Sequence, residues 1–301
     1  MRVSDLSAAS LAQRLGGGEL LFRCGPFTAR PTTGIASVVD NFRLLYTDYD
    51  LAEGFADFRF EIAPPAGLRR WIRPQVLFSF DGDRPFERFP ADQAYPLFEW
   101  GFNWCIASTT NRYLIIHAAA VERGGRVLVL PGMPGSGKST LTAALVSRGW
   151  RLFSDEMALV AIEGRDIVPI PRPISLKNES IAVIQSFDPA AVFGHTSHNT
   201  AKGSVSHVRV LTADVRRAGE VAQPGWIVFP HYESGAAATL TPRAKPATML
   251  DLASNSFNYR ILARLGFEML CDVVERCDCY DFRYGNLDEA IAIFERLSER
   301  G

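Results

Sequence analysis

The chain has 301 residues, with 32 Lys and Arg against 33 Asp and Glu and a formal net charge of −1, so no bulk positive charge draws it to nucleic acid or to an anionic membrane surface. Hydrophobic residues make up 47% and charged residues 22%, the proportions of a globular chain that can bury one large core or two ordinary ones. No run approaches the ~20 apolar residues of a bilayer span, and the start, MRVSDLSAAS, has no basic stretch followed by an apolar one, so a cytoplasmic protein is expected. The cysteines are five, an odd number, with Cys271, Cys277 and Cys279 crowded together; this is not a disulfide framework, and reduced thiols are expected.

Residues 1–88 read as short extended runs broken by turn residues, with one helix near Val38–Tyr46: a small β-rich α+β domain. In FADFRFEIAPP (55–65) Phe55, Phe58 and Phe60 nearly alternate, and in PQVLFSFDGDRPF (74–86) Val76, Phe78 and Phe80 do so strictly, as half-buried strands require. From Pro90 to Thr109, Leu97, Trp100, Gly101, Trp104 and Cys105 recur at three and four residues, the mark of a buried helix face. The domain boundary is placed just before that helix, with a second domain over 89–301. The runs YLIIHAAAV (113–121) and RVLVLP (126–131), joined by a link carrying Gly124 and Gly125, predict an antiparallel hairpin.

The second strand of that hairpin runs into GMPGSGKST (132–140) and then a helix with Leu141, Ala144 and Leu145 on one face and Gly149 as its stop. RLFSDE (151–156) is a short strand ending in two carboxylates. The region from 157 to 250 reads as short strands and loops, and GHTSHNTAKGS (194–204), almost devoid of apolar residues, as a mobile loop. A helix from Ser256 to Val274, a strand CYDFRYG and a last helix with Asn286 as N-cap and Glu289 at N3 complete the chain. The fold class predicted is α/β, a mixed-sheet phosphate-loop domain preceded by the smaller β-rich one.

Gly132, Met133, Pro134, Gly135, Ser136, Gly137, Lys138 and Ser139 fit the pattern G-x-x-x-x-G-K-[ST], and the motif sits between an apolar strand and a helix, where its mechanism needs it. The glycines let the backbone curl so that successive N–H groups, on into the first helical turn at Thr140, converge on phosphate oxygens. Lys138 adds a cation for the β and γ phosphates, and Ser139 a hydroxyl ligand for Mg²⁺; ATP is the expected nucleotide. Asp155 and Glu156 follow Lys138 by only 17 and 18 residues, room for one helix and one short strand. Typical phosphate-loop ATPases and GTPases place the corresponding carboxylate after further strand and helix units. Two carboxylates beside the phosphates suit one Mg²⁺ ligand and one base for a hydroxyl nucleophile.

Hairpin with His117, phosphate loop and acidic pair together resemble the catalytic core of HPr kinase/phosphorylase, a branch of the phosphoenolpyruvate-carboxykinase-like fold, and in particular the HprK-related kinases. The resemblance is strong over 113–180 and weaker to 300. His117 lies 15 residues before Gly132, and Asp155 and Glu156 lie 23 and 24 after it, the offsets of that family's histidine and aspartate pair. The resemblance implies that Asp155 is the acid/base residue, that Glu156 is a metal-side carboxylate, and that a Ser or Thr hydroxyl on a small protein or peptide accepts the phosphoryl group. It also implies a homo-oligomer, without fixing the subunit number. Two departures stand out: the second acidic residue is Glu, and the family's later Glu-x-Arg-Gly signature is replaced by Ser175, Leu176, Lys177, Asn178 and Glu179, with Lys177 in the arginine's place. Forward transfer is therefore expected over phosphorolysis, and the N-terminal 110 residues do not match that family.

Other residues have two readings each. His117 either assists proton transfer or phosphate binding, or packs as a strand histidine under the loop. Lys202 and His207 either reach phosphate or acceptor, or belong to a solvated loop. The spacing of His195, His198 and His207, like that of the cysteine trio, fits no standard zinc site. Arg260 is a nucleotide contact or a helix-surface arginine. Two alternatives to a protein kinase stay open: a small-molecule hydroxyl kinase acting on a serine-like metabolite, and a nucleotide-dependent sensor without transfer.

Overall fold

The structure, a computed structural model, describes residues 1–67 and 73–299. In chain order the first elements are α1 (Ala8–Gly16), β1 (Phe22–Cys24), β2 (Phe27–Thr32), α2 (Ala36–Leu45), β3 (Phe58–Ala63), β4 (Gln75–Phe80), β5 (Phe89–Pro90) and α3 (Ala94–Thr109). Then come β6 (Tyr113–Ile116), β7 (Ala118–Arg123), β8 (Arg126–Pro131), α4 (Lys138–Ser147), β9 (Arg151–Ser154), β10 (Ala158–Ala161) and β11 (Ile167–Val168). They are followed by β12 (Ile174–Lys177), α5 (Glu179–Phe187), β13 (Ser197–Thr200), β14 (Gly203–Val208) and α6 (Thr212–Arg216). The chain finishes with β15 (Gln223–Tyr232), β16 (Thr239–Pro242), α7 (Lys245–Ser254), α8 (Tyr259–Arg276), β17 (Asp278–Tyr284) and α9 (Leu287–Glu299).

These elements form two units. One comprises Met1–Thr109, Ser175–Ala182 and Val192–Arg216; the other comprises Thr110–Ile174, Val183–Ala191 and Arg217–Gly301. The first unit carries a mixed sheet of order β1-β2-β3-β4-β5 under α3, so the helix that the sequence assigns to the second domain packs in the first. Gly101 is the reason it can. A Cβ there would lie 2.1 Å from the Phe78 ring, so helix and sheet approach at a distance only glycine permits. Phe60 fills the same interface, its ring 5.6 Å from Phe78 and 5.5 Å from Phe102. Phe55, read as part of the alternation, precedes β3 and is exposed, and Trp100 faces outward from α3.

The stretch 194–204 is a β-hairpin within a sheet of order β12-β14-β13, not a mobile loop. It is ordered by polar contacts rather than apolar ones. Thr200 Oγ1 accepts the Lys202 N–H (3.0 Å) and donates to the Gly203 carbonyl (2.7 Å), while Asn178 accepts the Ser204 N–H (3.1 Å). The span 157–250 also holds three helices, α5 to α7, beyond the expected strands; Pro246 in the first turn of α7 is a helix-start signal.

In the second unit a six-stranded sheet runs β16-β17-β15-β8-β7-β9. Strands β8, β15 and β17 are parallel, and β7 is antiparallel to both β8 and β9, so the carboxyl ends of β8, β9, β15 and β17 share one edge. On one face Val129, Phe153 and Ile227 pack with Leu252 of α7 and Met269, Leu270 and Val273 of α8. On the other, Trp226 and Phe282 meet Trp150 and Phe294 of α9 edge-on, at 4.8–6.4 Å between ring centres. The last helix is capped as read, Asn286 Oδ1 accepting the N–H groups of Asp288 and Glu289. Among the described residues no helix is long and apolar enough to cross a membrane.

No disulfide joins the five cysteines; four are buried and only Cys271 is half-buried. Burial pushes the Cys277 and Cys279 thiols up, which lowers their thiolate fraction at neutral pH. Titration of the native protein with an aromatic disulfide reagent is expected to modify about one thiol rapidly and all 5 in denaturant; three or more fast-reacting thiols would contradict this packing.

Candidate active site

Two segments of the second unit pair twice. Strand β6 lies antiparallel to β10 with Ile116 opposite Ala158, and β7 lies antiparallel to β9 with Ala120 opposite Ser154. The step from one ladder to the other is the same on both strands, so the register carries straight across. Between them, no ladder pair joins 117–119 to 155–157. The single strand expected over 113–121 is therefore split at His117, and His117, Asp155 and Glu156 all fall in the gap. An interruption of this kind frees backbone groups from the ladder and re-aims side chains.

Each side of the gap is held by other bonds. The His117 N–H donates to the Asn255 carbonyl (2.7 Å), and its ring lies 5.3 Å from that of Phe257. On the opposite strand the buried Ser154 Oγ accepts the N–H groups of Glu156 (3.3 Å) and Met157 (3.0 Å), which fixes the turn that carries the two carboxylates. Asp155 is buried, 5% exposed, and Glu156 is half-buried.

Strand β8 ends with Pro131 opposite Ala118, so the phosphate-loop motif leaves the sheet beside His117. Lys138 Nζ donates back to the Gly132 carbonyl (2.7 Å) and closes the loop on itself. Ser136 Oγ is buried in the loop with no hydrogen-bond partner, a costly state for a hydroxyl unless a ligand completes it. No side chain caps the N-terminus of α4, so the helix keeps its first-turn N–H groups for an anion. Ser139 and Thr140 stand half-buried in that turn, while Met133, Pro134 and Gly135 are exposed at the tip.

Gly137 is the N-cap, in the left-handed region at φ +90°. Its carbonyl accepts both the Leu141 N–H (2.9 Å) and the Tyr284 hydroxyl (3.1 Å), while the Tyr232 N–H donates to the Ser136 carbonyl (3.1 Å). Tyr232 and Tyr284 end β15 and β17, so two neighbouring strand ends tie down the loop. Burial raises the Tyr284 phenol above its ordinary value, which keeps the donating proton in place at neutral pH. Neither tyrosine is legible as a site residue from sequence. Tyr284 reads only as one more alternating residue of CYDFRYG, and nothing local links it to Gly137.

The remaining candidates are described within their own units. Lys177, His195, His198, Lys202 and His207 belong to the first unit. There His207 is buried with its ring 5.2 Å from that of Tyr95, and His198 Nδ1 lies 3.0 Å from Ser204 Oγ. Arg260 is exposed on α8. Among the described residues no group of three metal-ligating side chains comes together from the protein alone.

No family model matches the sequence, and no curated protein matches it. Among solved structures, that of the HPr(Ser) kinase/phosphatase from Coxiella burnetii aligns with 62% of this chain and 99% of its own, at 12% identity and a TM-score of 0.28. That likeness is too loose to carry activity or substrate from one chain to the other.

The tie at Gly137 makes a stability prediction. A Cβ at residue 137 would sit 2.4 Å from Tyr284 Oη and 3.0 Å from Tyr232 Cβ, on a backbone that already disfavours alanine. Gly137→Ala is expected to cost roughly 2 kcal/mol and Tyr284→Phe about 1 kcal/mol. Removing the hydroxyl also removes the worst clash, so the double variant in thermal unfolding should lose less than the two single losses combined. Strict additivity would contradict the contact.

Proposed function

We propose that the protein is an ATP-dependent phosphotransferase that moves the γ-phosphoryl group to a hydroxyl, the acceptor being a Ser or Thr side chain of a small protein or peptide. The observation that carries this reading is the shared sheet edge. The phosphate-loop motif leaves β8 at Pro131, opposite Ala118, and the acidic pair leaves β9 at Ser154, opposite Ala120. A phosphate-binding device and a buried carboxylate thus stand two strands apart, at the carboxyl ends where open α/β sheets receive ligands.

On this reading each residue has a task. The loop amides and the uncapped N-terminus of α4 hold the β and γ phosphates, and Lys138 neutralises the charge that develops on the transferring group. Asp155 takes the proton of the attacking hydroxyl; the turn that carries it is held by Ser154 Oγ, which accepts the Glu156 and Met157 N–H groups. His117, across the gap, orients the acceptor hydroxyl or the γ-phosphate. The donors near the phosphates, Ser139 Oγ and the Glu156 carboxylate, are hard oxygens of the type Mg²⁺ takes. When bound with ATP, the ion would supply neutralisation of the charge that develops on the transferring group.

The test is incubation with Mg·[γ-³²P]ATP and a cell lysate separated into protein and small-molecule fractions. Label is expected on a protein band and is lost with Lys138→Ala. Asp155→Asn should bind ATP nearly as wild type yet transfer about 100-fold more slowly or worse. Label confined to the small-molecule fraction would overturn the acceptor assignment, and a wild-type transfer rate in Asp155→Asn would overturn the assignment of the base.

A further inference from the structure

In the first unit the hairpin of β13 and β14 brings a serine and a histidine into contact. Ser197 stands opposite Val205 and Thr200 opposite Gly203, with a shift of register between the two pairs. Two residues, His198 and Asn199, therefore face the single Ser204, the arrangement of a β-bulge. Asn199 takes up the extra length in the left-handed region, at φ +55°, and His198 falls directly across from Ser204, where side chains of an antiparallel pair share a face. His198 Nδ1 lies 3.0 Å from Ser204 Oγ, a hydrogen-bonding distance. His198 is exposed and Ser204 half-buried, so the pair meets solvent.

Both strands under the pair are held from outside the hairpin. Asn178 Oδ1 accepts the Ser204 N–H (3.1 Å), and the Asn178 N–H donates to the Ser204 carbonyl (2.9 Å). On the histidine strand, Gln93 Nε2 donates to the Asn199 carbonyl (3.1 Å) and Ser197 Oγ to the Asp92 carbonyl (2.8 Å). Two cations belong to the same corner: Lys202, exposed at the turn, and Lys177, which precedes Asn178. Neither is in an ion pair among the described residues, and their charge is available to an anion formed there.

A hydroxyl bonded to an imidazole in its Nε2-protonated tautomer is a nucleophile with its base in place. Acyl hydrolysis by such a pair also needs a group that orients the imidazole, and among the described residues no carboxylate bonds His198. Phosphoryl acceptance needs the hydroxyl, the base and cations for the charge gained, and these are the groups present. We propose that Ser204 is a phosphorylation site of the protein itself, the donor being the ATP bound by its own phosphate loop. The assignment rests on the phosphotransferase reading above and adds to it an acceptor within the chain. In the transfer the Ser204 Oγ–P bond forms as the bond from the γ-phosphorus to the β–γ bridging oxygen breaks; ADP departs, and the hydroxyl proton passes to His198 Nδ1. The phosphoserine formed then has an imidazolium beside it and Lys202 two residues away, which offset its negative charge.

The full chain is incubated with Mg·[γ-³²P]ATP alone and, in parallel, with the cell lysate. Acid-stable label is expected on the chain itself, located at Ser204 by fragment mass spectrometry and absent with Lys138→Ala. Ser204→Ala should lose about 90% or more of that label while labelling the lysate acceptor within about twofold of wild type. Ser204→Thr should restore it as phosphothreonine at position 204, which a purely structural hydroxyl would not do. His198→Ala should slow self-labelling about 100-fold; a wild-type rate in that variant would remove His198 as the base. An unlabelled chain beside a labelled lysate protein, or label undiminished in Ser204→Ala, would overturn the inference and leave the phosphotransferase reading standing. Absence of label from chain and lysate alike would overturn both.

Discussion

The constraint on which the site depends is one antiparallel pairing that is broken in the middle. Segments 113–122 and 151–161 pair as β6 with β10 and as β7 with β9, open between Ile116–Ala158 and Ala120–Ser154 with the same register on both sides of the gap, and shift register once beyond it, between Ala120 and Val121. Unbroken, that ladder would consume the backbone groups at 117–119 and 155–157 and aim their side chains alternately to the two faces. Broken, it holds the two strands at fixed separation while the intervening residues make other bonds, His117 with the segment that follows α7 and Glu156 with Ser154. Rigid flanks with a freed centre are how a scaffold places reactive groups without leaving them to a loop.

The second device is the anchoring of the glycine-rich loop from the far side. A loop of three glycines has a large conformational entropy to lose when it is fixed in one shape. Here part of that loss is met in the folded protein: Lys138 closes the loop on the Gly132 carbonyl, Tyr284 bonds the Gly137 carbonyl, and the Tyr232 amide bonds that of Ser136. The polar groups left over are donors, the Ser136 hydroxyl and the first-turn amides of α4, as an anion site requires.

Much of this was legible in the sequence and some was not, for reasons that differ by residue. The loop motif, its helix and Gly149 are local patterns, and the hairpin of β7 and β8 is fixed by a short glycine link; such signals survive without tertiary information. The split at His117 is invisible because YLIIHAAAV is apolar throughout, and only the partner strand decides where pairing stops. The hairpin that begins within 194–204 is not legible because its order does not come from apolar content: Thr200 and Asn178 stabilise the turn through hydrogen bonds that composition does not reveal. The domain boundary fell short of α3 because a buried helix face states that a helix packs, not on which sheet; the fit of Gly101 against Phe78 decides that.

If the protein transfers the γ-phosphoryl group as proposed, that group of a bound nucleotide lies on the β7 and β9 side of the loop. A crystal structure of the complex with Mg²⁺ and a non-hydrolysable ATP analogue measures this directly. Phosphates are expected in the loop 132–139, with Lys138 Nζ moved from the Gly132 carbonyl to phosphate oxygen and the γ-phosphate within hydrogen-bonding reach, directly or through one water, of the Asp155–His117 gap. A γ-phosphate pointing toward β15 and β17, with the base on the His117 side, would contradict it.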